Sequence, residues 1–187
     1  MALNCAMLSP ARAPIPLPNE LTIRDVNGGV ELWLTIPDAP PTGASAAGGS
    51  GGARKMKDVG KLWLTDQRLI FVSDNGSKSG LESLSVPLLS LLSTKFEQPY
   101  FGSNYLTIDI RPSPEGRLTD GTRAEIRFKD KGLFEFASAL EKTRERAIYM
   151  KRQMAEEDEL PTYTPAEAGS SSYASRVPDD APPGYDD

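Results

Sequence analysis

Gly60-Lys61-Leu62-Trp63-Leu64-Thr65-Asp66-Gln67-Arg68-Leu69-Ile70-Phe71-Val72-Ser73 decides how this chain folds. Both halves are built from strand-forming residues, and Asp66-Gln67 between them is a two-residue connection, so the stretch reads as a β-hairpin. Upstream, Gly29-Val30-Glu31-Leu32-Trp33-Leu34-Thr35-Ile36 has the same composition and stops at Pro37. Downstream, Leu81–Val86, Leu89–Glu97, Asn104–Ile110 and Thr122–Phe128 are separated by Pro87, by Gln98-Pro99 and by the turn cluster from Pro112 to Gly121. Seven short strands in succession imply a barrel or a sandwich.

A helix is expected from about Gly132 to Met154, with Leu133, Phe136, Ala137, Leu140 and Ala147 on an inner face that caps the sheet. Glu135, Glu141, Lys142, Arg144, Glu145, Arg146 and Lys151 form its solvated side. The fold class is therefore mainly β with one C-terminal helix. Around this body, residues 1–19 read as a flexible Pro-rich leader. The domain runs over 20–153 and contains a flexible Pro/Gly/Ala/Ser insertion at 37–55. Residues 154–187 lose the apolar period and read as a disordered acidic tail.

Mean hydropathy is -0.39, low for a chain folded throughout. The net charge of -5 is unevenly held: nine acidic residues against Arg176 make residues 154–187 -8, which leaves +3 on residues 1–153. There is no histidine, which excludes imidazole bases and Ser-His-Asp or Cys-His sites. Cys5 is the single cysteine, so neither an internal disulfide nor a thiolate cluster is available. Asp66, Glu97, Asp109 and Glu125 show no clustering in sequence, and Gly48–Gly52 lacks the Gly-Lys-Ser/Thr of a phosphate loop. No enzyme, cofactor or metal is expected. Met1–Leu8 has no basic n-region, no stretch approaches ~20 apolar residues, and Ala2 excludes myristoylation. The expected location is nucleus and cytoplasm, with peripheral endomembrane association as a second location.

Gly60–Phe71 resembles the core hairpin of GRAM domains, which have a pleckstrin-homology-like fold. Phe96-Glu97-Gln98-Pro99-Tyr100-Phe101-Gly102-Ser103-Asn104-Tyr105 is similar to the Gln-Pro-x-Phe-Gly-x-Asn-Tyr segment of the WW-domain-binding protein family, and Met1-Ala2-Leu3-Asn4 resembles its opening. The resemblance covers roughly residues 20–150. It implies a GRAM barrel, a tail that engages WW proteins, and a role in transcriptional coactivation with indirect chromatin association. The insertion lengthens the first loop relative to the family, and the tail holds one full PPxY where animal relatives carry several.

Pro182-Pro183-Gly184-Tyr185 is that motif. Paired prolines preform a polyproline II helix that docks between aromatic side chains, and the tyrosine enters a neighbouring pocket. Leu160-Pro161-Thr162-Tyr163 is its weaker LPxY variant. The partners expected are WW-domain transcriptional regulators or HECT-type ubiquitin ligases. Lys55, Lys57, Lys61, Arg68 and Lys78, in or near the first hairpins, make a phosphoinositide headgroup the alternative ligand. Direct nucleic-acid binding is not expected, because no concentrated basic face is present and the tail repels phosphate. Trp33, Trp63, Phe71, Tyr100, Phe101 and Tyr105 read as core and turn aromatics.

Overall fold

A computed structural model describes residues 2–37, 52–76, 80–113, 116–129 and 132–158. Eight strands form one antiparallel sheet: β1 (Ala2–Leu3), β2 (Thr22–Pro37), β3 (Ala53–Thr65), β4 (Arg68–Ser73), β5 (Ser83–Pro87), β6 (Leu91–Glu97), β7 (Tyr105–Ile110) and β8 (Arg123–Phe128). Their order across the sheet is β1-β5-β4-β3-β2-β8-β7-β6. The last element is helix α1, Leu133–Asp158. The curved sheet forms a half-barrel, and α1 packs against β6, β7 and the short helical turn at Leu88–Ser90.

Strand periodicity builds the core. Val30, Leu32, Leu34 and Ile36 of β2 point inward and share one core with Met56, Leu62 and Leu64 of β3 and with Ala124 and Ile126 of β8. Leu133, Phe136, Ala137 and Leu140 complete it from the helix. The residual space among Leu32, Phe71, Leu91 and Ile108 is about 10 Å³, the least that a water needs, and its walls are hydrocarbon. Ligand recognition by this half-barrel thus belongs to its outside.

The strands depart from the sequence expectation at β2 and β3. β2 begins at Thr22, seven residues before Gly29, because Asn27-Gly28-Gly29 is a bulge within the strand and not a turn before it: the register with β3 shifts between Val26 and Val30. Gly29 sits at φ 67°, a conformation that costs glycine little. At the other end Pro37 pairs with Ala53, so Ala53-Arg54-Lys55 of the expected insertion are strand; residues 38–51 lie outside the described residues.

The leader was expected to be flexible and is folded. Leu3 is buried and β1 pairs with β5. The Asn4 carboxamide oxygen accepts from the Glu82 and Ser83 amides at 2.7 and 3.1 Å, and Arg12 donates to the Ser73 carbonyl at 2.9 Å. Ile70 and Val72, which alternate away from the inner cluster, are nevertheless buried, because the leader runs over that face of β4. The prolines that forbid a helix suit an extended chain laid across a sheet.

Candidate functional site

The tail motifs Leu160-Pro161-Thr162-Tyr163 and Pro182-Pro183-Gly184-Tyr185 lie outside the described residues, as does Lys78. The other basic residues fall into two environments. Lys55, Lys57 and Lys61 alternate on the outer face of β3. Arg68 does not join them: its side chain is 12% exposed and is bound to Glu20, which is 1% exposed. Arg68 Nε and Nη2 donate to the two Glu20 carboxylate oxygens at 2.7 and 2.9 Å, and Nη2 also reaches the Ile15 carbonyl at 3.0 Å. Thr65 and the Leu17 amide supply two further donors to Glu20. Burial raises the Glu20 pKa, but these donors together outweigh it, and the carboxyl lies below its ordinary value. Arg68 is a fastener of the leader.

The outer face of the sheet is a ladder of opposite charges. Register places Lys57, Trp33 and Glu125 side by side across β3, β2 and β8. Lys57 pairs with Glu31 at 2.5 Å and lies 4.4 Å from the Trp33 ring centre. Arg127 lies over both Trp33 and Tyr105, 5.2 and 5.0 Å away. One row along, Asp109 accepts from Ser93 at 2.6 Å and from Arg123 at 2.8 Å. Lys57 holds the Glu31 carboxyl below its usual range, and Ser93 followed by Arg123 does the same for Asp109; Asp109 in turn raises Arg123. Cations spent on neighbouring carboxylates leave Arg54, Lys55 and Lys61 as the cations of β3 with no ion-pair partner among the described residues, which is a sparse headgroup site.

Two exposed apolar features lie elsewhere. Tyr100 and Phe101, expected as core or turn residues, stand on the β6–β7 turn with their rings in edge contact and 94% and 87% exposed. Phe71 is the buried member of that aromatic set, and Trp33 and Trp63 are half-buried on the outer face. The second feature is a groove of about 830 Å³ beside the C-terminal half of α1. Leu21, Ile23 and Leu89 line one side, and Ala147, Met150 and Met154 line the other. Lys142, Arg146 and Lys151 stand at its helical wall. Sequence reasoning missed this groove because Leu21 and Ile23 precede the first expected strand. The apolar spacing Ala147, Met150, Met154 was its one visible signal.

A half-barrel of antiparallel strands closed by one C-terminal helix, with a filled interior and a polar outer face, defines a pleckstrin-homology-like module. The solved Vps36 N-terminal PH domain is similar in structure, with a TM-score of 0.54 at 18% identity over 77% of this chain and 93% of that one. In sequence the chain is similar to a UPF0664 stress-induced protein of Schizosaccharomyces pombe, 31% identical over 80 residues, which is 43% of this chain and 45% of the relative. It is also similar to the postacrosomal sheath WW domain-binding protein of Macaca fascicularis, 27% identical over 84 residues, or 45% of this chain and 33% of the relative. The matches thus span less than half the length of these curated relatives. No protein-family model matches the chain.

Proposed function

We propose that the protein is a non-enzymatic adaptor of GRAM type that engages WW-domain proteins through Pro182, Pro183, Gly184 and Tyr185, with Leu160, Pro161 and Tyr163 as a weaker second motif. The observation that carries this reading is the Pro-Pro-Gly-Tyr sequence in a chain similar to a protein named for binding WW domains. The pleckstrin-homology-like body supports it as the class of a binding module. The partner classes proposed are WW-containing transcriptional regulators, with indirect chromatin association, and HECT-type ubiquitin ligases. A phosphoinositide reading through Lys55, Lys57 and Lys61 draws less support, since Lys57 is ion-paired with Glu31 and Arg68 with Glu20.

The test titrates a tandem WW fragment into the full chain and into its Tyr185→Ala form by calorimetry. Loss of the tyrosine should raise Kd about tenfold or more, equivalent to about 1.4 kcal/mol. Equal affinities for the two chains would remove the proposal.

A further inference from the structure

Helix α1 carries an apolar seam longer than the half-barrel covers. Leu133, Phe136 and Leu140 recur at spacings of three and four and are buried. Thr143, Ala147, Met150 and Met154 continue the same spacing and line the open groove instead. Met150 and Met154 are 44% and 62% exposed, and Leu21 opposite is 67% exposed. The seam thus passes from half-buried Thr143 and Ala147 to exposed Met150 and Met154, and with Leu21 opposite it presents an apolar surface that asks for a second apolar body.

Charge restricts what that body is. Arg144, Arg146 and Lys151 flank the exposed part of the seam, so the same helix of a second copy in parallel register would set like charges against each other. Arg144 is tied to the Leu91 and Leu92 carbonyls at 3.0 and 2.9 Å. Lys142, Arg146 and Lys151 have no ion-pair partner among the described residues. Asp66, which also lines the groove, already accepts from the Leu21 amide at 2.9 Å. The groove therefore fits an acidic segment with apolar side chains.

Such a segment follows the helix directly. Residues 159–187 hold six acidic side chains against Arg176, and Leu160, Pro161 and Tyr163 come first. Returning from Asp158 to the level of Lys142 means covering about 24 Å of helix, which about eight extended residues span. We propose that the groove is the docking site for the chain's own residues 159–187, seated in cis with Leu160, Pro161 and Tyr163 against Ala147, Met150 and Met154 and with acidic side chains toward Lys142, Arg146 and Lys151. Docking withholds Tyr163 from other partners while leaving Pro182–Tyr185 accessible. That consequence for WW domains rests on the proposed function; the docking does not.

The experiment uses the full chain with Cys5→Ser and Ala166→Cys, a nitroxide on the new cysteine, and assigned amide spectra. The Ala147 and Met150 amides should lose intensity with the oxidised label, keep that loss on dilution, and regain intensity in Lys142→Glu/Arg146→Glu/Lys151→Glu. The WW titration of Tyr185→Ala, repeated on the triple variant, separates a failure here from a failure of the adaptor reading. No intensity loss, a loss that survives the charge reversals, or a loss seen only between separate labelled and observed molecules, which would put a second copy in the groove, would each overturn the proposal.

Discussion

Arg68 makes four side-chain hydrogen bonds: two to Glu20 and one to the Ile15 carbonyl, which join β4 to the leader, and one to the Ser85 hydroxyl of β5. Removing it strands a buried carboxylate, which is the expensive way to break an ion pair. Arg68→Ala should destabilise the fold by about 3 kcal/mol in urea unfolding at neutral pH, and a smaller loss would mean that Glu20 finds water. Because the folded Glu20 pKa is depressed below 4.5, its contribution is present above the unfolded value and disappears as pH falls through the folded one. Glu31 and Asp109 act in the same direction. Stability of the unmodified chain should therefore fall below about pH 4.5, and that acid loss should be shallower in Arg68→Ala, where Glu20 no longer gains from staying ionised. Parallel pH profiles for the two chains would contradict this assignment.

Among the elements, β3 and β4 meet at Gly60, where a Cβ would stand 2.0 Å from the Val72 carbonyl oxygen. The obstacle is backbone, so neighbouring strands have to part. Gly60→Ala should cost about 1–3 kcal/mol, measured as a lowered urea midpoint, although alanine normally improves on glycine in a strand. An unchanged midpoint would show that the strands part freely. The hairpin containing Gly60 was legible because Leu62, Trp63, Leu64, Thr65 and Leu69 to Val72 make two apolar, β-rich runs and the two-residue connection between them is local. The bulge at Asn27-Gly28-Gly29 was not, since the same glycines suit a turn, and only pairing with β3 distinguishes the two. Leader packing was equally hidden: Glu20 and Arg68 are 48 positions apart, and nothing local marks either as a partner. The groove was half legible, with Met150 and Met154 visible on the helix while Leu21 and Ile23 gained meaning once β2 began at Thr22.

For the whole molecule, Tyr185 lies 22 positions beyond Tyr163. Random-coil statistics for that length give about 25 Å, which in the proposed function would let a tandem WW protein meet its second motif at an effective concentration of about 1 mM. In the Lys142→Glu/Arg146→Glu/Lys151→Glu chain, where Tyr163 is released from the groove, Tyr163→Ala should weaken a tandem WW fragment about tenfold and leave a single WW domain unaffected, as read by calorimetry. An equal effect on both would argue against bivalency.

In the proposed function, the length of α1 also sets where a WW partner would be held. Leu140 is its last fully buried residue, and the helix continues to Asp158, about 27 Å further on. Under that reading a partner on Pro182–Tyr185 would be tethered from the α1 side of the molecule and not from the β2–β3–β8 face where Trp33, Lys57 and Arg127 lie. Such a tether would leave that face open to a second neighbour, without the two contending for space.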